Sequence, residues 1–193
     1  PSGVDTILVN GGLHDTNIKN WNFSNGPNSL VIEAVDGPSE TILQSDSLFI
    51  NGSNLKWDGF HFKVNTWGKW NGEDAIYNSI VTEMVPSGTG DPFDNCDPCL
   101  TFNYCTITNN EGFSRPYFAI SNSIIFNNTI NVDGYSDFAD QGFNLITDPI
   151  FCDFENGDYL LAENSPAIGA GENGSNIGAL GIGCDAILTT YHV

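Results

Sequence analysis

Two loops carry acids at spacings that suit a cation. Asp91, Asp94 and Asp97 recur through Pro86–Pro98 (PSGTGDPFDNCDP), and Asp133, Asp137 and Asp140 recur through Asn131–Gln141 (NVDGYSDFADQ). Carboxylates on loops rich in Gly and Pro are the hard oxygen donors that Ca²⁺ takes. Neither loop follows the EF-hand pattern or the glycine-rich nonapeptide repeat, so ordinary solvated acids are the competing reading. No motif demands a cofactor; Ca²⁺ is the cation these loops suit.

A second constellation lies in Asn54–Val64 (NLKWDGFHFKV) and just beyond it. If Phe60, Phe62 and Val64 point inward, strand alternation turns His61 and Lys63 outward, with Trp57, Trp67 and Trp70 near them in sequence. Outward aromatics beside polar groups can stack on sugar rings, which makes these five residues a candidate glycan surface. A base such as His or Lys could also take the proton next to a uronate carboxylate. That chemistry needs several cations to neutralise the substrate. The chain has only Lys19, Lys56, Lys63, Lys69 and Arg115, spread over its whole length. Hydrolysis of a neutral glycan needs two carboxylates about 5–10 Å apart. Asp58 with Glu83 or Asp74 would be available on adjacent strands, but no motif selects a pair, and no residue is assigned as catalytic. Surface strands with partly buried tryptophans account for the same pattern.

The formal charge is −19 over 193 residues. A field of this sign repels nucleic acid, anionic membranes and acidic polysaccharides. No apolar run is long enough to span a bilayer, so membrane insertion is not expected. Of the five cysteines, Cys96 and Cys99 make a CxxC pair, but no second pair or HxxxH follows to complete a zinc site. N-x-[ST] sequons start at Asn22, Asn51, Asn127 and Asn173, and they matter only in a host with glycosylation machinery.

Short strands must position these groups. The apolar runs are a few residues long and end in Asn, Gly or Asp, and no stretch has a convincing helical period. From Phe62 onward a repeat is countable. Phe62, Val81, Ile107, Ile125 and Ile146 fall in the similar contexts HFK, IVT, TIT, IIF and LIT, at spacings of 19, 26, 18 and 21 residues. That is the period of one coil of a solenoid, the longest interval holding the Pro86–Pro98 loop. These five residues should form one buried column. Asn78, Asn109, Asn110, Asn127, Asn128 and Asn144 sit where coils turn, and Asn tolerates the left-handed backbone and the side-chain hydrogen bonding that stacked corners need.

The segment Gly142–Cys184 (GFNLITDPIFCDFENGDYLLAENSPAIGAGENGSNIGALGIGC) resembles the closing part of secreted bacterial right-handed parallel β-helix repeat proteins of the pectate-lyase-like superfamily. Asn144–Phe151 looks like a last rung, Gly157–Leu161 like a GDYxL strand, Ser165–Gly171 like an SPAIxxG turn and Ile177–Ala179 like an IGA segment. Val4–Gly12 resembles a first rung. The resemblance implies an all-β, single-stranded right-handed parallel β-helix of roughly seven coils, each rising about 4.8 Å. It implies one domain over residues 1–193, with 142–184 closing it and 185–193 as a strand or tail. Such helices include polysaccharide lyases, adhesins and surface proteins, so the fold leaves the function open.

The resemblance also implies an extracellular, secreted or cell-surface setting in which cysteines pair. Cys152 and Cys184 flank the closing segment and are the expected bridge, pinning the tail to the last rung. Cys96 and Cys99 could close a small loop, and Cys105 is left as a buried thiol. Two functions follow: a structural or adhesive module, or a carbohydrate-active one using the Trp57–Trp70 surface. In the family a TTYHV-like segment opens a β-helix; here Thr189–Val193 closes the chain. The strand Ala186–Val193, through Ile187, Leu188, Tyr191 and Val193, could therefore add to the first coil of another copy, giving head-to-tail self-association. A fragment of a longer protein, capped by its neighbours, would show the same ends.

Overall fold

The computed structural model describes residues 5–15, 20–22, 29–51, 54–70, 74–84, 93–94, 100–111, 118–129 and 139–188. In chain order, β1 (Asp5–Val9) and β2 (Gly12–Asp15) make a first turn, followed by the short β3 (Asn20–Asn22). A second turn is β4 (Ser29–Ala34) and β5 (Thr41–Asn51), and a third is β6 (Asn54–Asp58) and β7 (His61–Trp70). The fourth is β8 (Asp74–Tyr77) and β9 (Ile80–Thr82), after which comes β10 (Phe93–Asp94). The fifth is β11 (Leu100–Asn103) and β12 (Thr106–Thr108), and the sixth is β13 (Phe118–Ser121) and β14 (Ile124–Phe126). Then β15 (Ala139–Asp140) starts a partial turn, and β16 (Phe151–Asp153), β17 (Asp158–Ala162) and β18 (Ile182–Cys184) form the closing unit.

The first strands of the turns stack as one parallel sheet, β1-β4-β6-β8-β11-β13-β15, and the second strands as another, β2-β5-β7-β9-β12-β14. This is a parallel β-solenoid of about six turns, close to the seven expected. Strands β5 and β7 reach around a corner. Thr41–Gln44 pair with β2, whereas Phe49–Asn51 pair with β3. Ser47–Asn51 thus continues β5. The expected loop Asn131–Gln141 ends in β15.

The strands bury their inward faces by filling the interior in columns. One column runs Ile32, Trp57, Ile76, Phe102 and Ile120, which are in register from β4 to β13 and at most 4% exposed. A second is Leu43, Phe62, Val81, Ile107 and Ile125, again in register. The spacing-based column is therefore present from Phe62 to Ile125, with Ile125 partly buried. Ile146 departs from it. The bridge Ile124–Leu145 places Ile146 next to Ile125 in register, yet Ile146 is 69% exposed. The chain leaves the stack there, and no described turn follows to cover it.

The corners explain the asparagines. Asn78, Asn109 and Asn127 have φ of 48°, 55° and 52°, the left-handed turn that Asn tolerates. Residues next to them tie successive turns together. The Phe60 N–H donates to Ser79 Oγ, Cys105 N–H to Ser123 Oγ and Ser123 N–H to Asn144 Oδ1. At the other corner, Met84 N–H donates to Asn110 Oδ1 and Asn110 N–H to Asn128 Oδ1. Each bond satisfies a buried N–H that no strand ladder reaches. All run the same way, from one turn to a side chain of the next.

Candidate functional site

The closing unit does not continue the stack. Strand β17 pairs antiparallel with β16 and parallel with β18. Its apolar side chains Phe151, Tyr159, Leu161, Ala167 and Ile177 form a second core with Ile80 and Ile124 of the solenoid. Ile80 and Ile124 alternate with the interior residues Val81 and Ile125, so they stand on the outer face of the second sheet. The unit lies across that face from the third turn to the sixth. Asn122 latches it: its Oδ1 accepts from Glu172 N–H at 2.9 Å and its carbonyl from Gly178 N–H at 3.0 Å. Thr106 Oγ1 accepts from Ala179 N–H at 3.1 Å. The fit at Gly178 is close, since a Cβ there would fall 2.7 Å from Ile124 Cδ1.

This placement decides the candidate glycan surface. Trp57 is fully buried in the interior column, edge-on to Phe60 and Phe62 with ring centroids 5.9 and 5.7 Å away. The expectation that Trp57 stacks on sugars is corrected: alternation from Phe60 and Phe62 was sound, but the corner at Gly59 (φ 81°) shifts the parity, so Trp57 also points inward. His61 does face outward, but Tyr159 covers it and it is 8% exposed. Its Nε2 shares a 2.9 Å hydrogen bond with Thr82 Oγ1. Burial first, then the neighbouring Lys63 charge, lower its pKa to about 4. Burial also raises the Tyr159 phenol, opposed by a hydrogen bond with the Asn109 side chain and aided by the Glu83 carboxylate. Trp67 and Trp70 belong to β7; their side chains lie outside the described residues.

Lys63 reaches Glu83 across adjacent turns at 3.3 Å. The pair lies in a polar groove of about 180 Å³, lined also by Asp15, Gln44, Ser45, Asp46 and Asn65. The structure thus separates residues that sequence proximity had grouped: Trp57 is in the core, His61 under the closing unit and Lys63 in the groove. The carboxylates weighed for hydrolysis part in the same way. Asp74 is 1% exposed, in register between Leu55 and Leu100, and its Oδ1 accepts from Leu55 N–H at 2.9 Å. Asp58 pairs with Lys56 at 2.9 Å and accepts from Asn78 Nδ2 at 2.8 Å.

Of the acidic loops, Asp91, Asp97, Asp133 and Asp137 lie outside the described residues, as does the side chain of Asp94 on β10. Asp140 is committed to its own corner, where Oδ1 accepts from Gly142 N–H and Asn144 Nδ2 at 2.8 and 2.7 Å. Among the described residues no group of three His, Cys, Asp or Glu is placed to hold a metal ion.

Cys152 and Cys184 form a disulfide, Cα–Cα 5.8 Å. It ties β16 to β18 inside the closing unit rather than tying the tail to the last rung. Cys96 and Cys99 lie outside the described residues. Cys105 is a free buried thiol that takes the place of the corner hydroxyl, donating to Ile76 O and Asn103 O. Its pKa is pushed up to about 12, chiefly by burial.

Of the expected assembly strand, residues 186–188 form no strand in the single chain. Asn164 holds them to the closing unit, donating to Ile187 O at 2.8 Å and accepting from Ile187 N–H at 2.9 Å. Leu188 is 89% exposed, and Tyr191 and Val193 lie outside the described residues.

No helix among the described residues is long and apolar enough to cross a membrane. Comparison with protein-family models, curated proteins and solved structures finds no match to this chain.

Proposed function

We propose that this chain is a secreted or cell-surface structural β-solenoid, related to the pectate-lyase-like helices, that associates head to tail in an extracellular filament or adhesive layer. The observation that supports this reading most is the exposure of apolar residues at both edges of the described stack. Ile7, in register with Ile32 of the interior column, is 48% exposed on the first turn, and Ile146 is 69% exposed after the sixth. Among the described residues, β1 and β15 have no partner on their outer edges. Open edges with apolar side chains invite strand pairing. Corner hydrogen bonds join each turn to its neighbours on both sides, so a join between copies would bring the last turn of one onto the first turn of another. Such a contact does not close on itself and extends into a filament. The disulfide fits an oxidising compartment.

Sedimentation velocity over a wide concentration range tests this. The −19 charge opposes stacking at low ionic strength, so the runs belong at physiological salt. Species that grow with concentration support the reading; one monomeric boundary throughout rejects it.

A second reading, a glycan-binding module, is favoured by the polar groove at Lys63 and Glu83. Its test is a glycan array, with retention lost on Lys63→Ala while the fold is kept.

A further inference from the structure

We propose that residues 147–188 act as an acid-releasable clasp, closed on the outer face of the third to sixth turns while His61 is neutral and opening when His61 takes a proton.

The clasp is built as a unit of its own. The disulfide Cys152–Cys184 and the sheet of β16, β17 and β18 hold it together internally. Its attachment to the solenoid is of a different kind. It is made by the chain leaving Ile146, hydrogen bonds to Asn122 and Thr106, those of Ser175 with Tyr104 and Tyr159 with Asn109, and apolar contacts with Ile80, Ile124 and Phe126. A covalently fastened body held to a second body by non-covalent contacts can detach without unfolding.

His61 lies in that contact. Tyr159 of β17 covers its ring edge-on, with centroids 6.1 Å apart. From β9 it meets the uncharged Thr82 hydroxyl, and from β5 its register partner is the uncharged Ile42. On its own strand Lys63 is cationic, and the Lys63 ammonium is already engaged by Glu83. Among the described residues no carboxylate pairs with the imidazole, and Glu83, which acts on Tyr159, is engaged by Lys63, so a proton there would add a second positive charge beneath the clasp. Opening exposes His61 to water, where the charge is solvated.

The sign follows from linkage. The closed form holds His61 at about 4, and the open form returns it to about 6.5. The closed form binds fewer protons, so closure is favoured above pH 6.5 and weakens as pH falls towards 4. These two values predict that the closing equilibrium weakens about a hundredfold between pH 7 and pH 4. Release would uncover Ile80 and Ile124 while leaving the interior columns intact.

The test is hydrogen–deuterium exchange of the intact chain at pH 7 and pH 4, corrected for intrinsic rates. Peptides carrying the Glu172, Gly178 and Ala179 amides should lose about a hundredfold protection, while those of β8 and β11 keep theirs. His61→Gln and His61→Phe, which cannot take the proton, should keep clasp protection at pH 4. Unchanged protection in the parent between the two pH values overturns the proposal, as does equal loss in either folded variant. If both variants misfold, an NMR titration of His61 in the parent decides. A midpoint far below 6.5 that coincides with clasp opening supports the proposal; a midpoint near 6.5 with the clasp still closed rejects it.

Discussion

The His61 imidazole meets the Tyr159 phenol edge-on, at 6.1 Å between centroids and 81° between planes. This contact converts a strand position that alternation marks as exposed into a buried one. It is also where the closing unit reaches furthest back along the solenoid. Tyr159 further packs against Phe151 and Phe154, at 5.5 and 6.2 Å. Tyr159→Ala should therefore cost about 3 to 5 kcal/mol, the range for truncating a buried aromatic. Tyr159→Phe, which loses only the Asn109 hydrogen bond, should cost about 1 kcal/mol. Urea denaturation of the two variants beside the parent checks both; equal midpoints for all three would remove Tyr159 from the contact.

The disulfide should act on the closing unit. Cys152 and Cys184 are 32 residues apart, a loop whose closure is worth about 3 to 4 kcal/mol in the chain-entropy model. The double variant Cys152→Ser, Cys184→Ser should lower the denaturant midpoint and raise amide exchange in β16 to β18 before any loss in β8 or β11. Peptide mapping of the unreduced parent that finds both thiols free would contradict the pairing itself.

Interior and end positions should separate sharply. Ile107 is fully buried in its column, so Ile107→Ala should cost about 2 to 5 kcal/mol. Ile146, exposed beyond the last turn, should tolerate the same change within about 0.5 kcal/mol in the monomer. Equal losses at the two sites would mean that the register described here is wrong.

The solenoid was legible because its period is carried by residue type at the corners. Asn78, Asn109 and Asn127 mark left-handed turns, and the IVT, TIT and IIF strands between them stand in register at the spacings counted from sequence. The candidate site was less legible. Pairs such as Ile80-Val81 and Ile124-Ile125 hold two apolar residues in succession, a sign that both faces of those strands are covered. Nothing local to them names Tyr159 or Ile177 as the cover, because those residues approach from a distant part of the chain. The burial of Trp57 has a related cause. One glycine corner, Gly59, separates β6 from β7 and resets which side of the strand faces in. Residues close in sequence across that corner are therefore not on one surface.

The most direct test of head-to-tail assembly mixes two blocked chains. Ile7→Asp spoils the first turn and Ile146→Asp spoils the last, each placing a charge at an exposed end of an interior column. Each variant alone should remain monomeric by analytical ultracentrifugation at concentrations where the parent grows. Mixed in equal amounts, they retain one intact first turn and one intact last turn between them, so they should form a dimer and nothing larger. No association on mixing, or continued growth of either variant alone, would contradict the account.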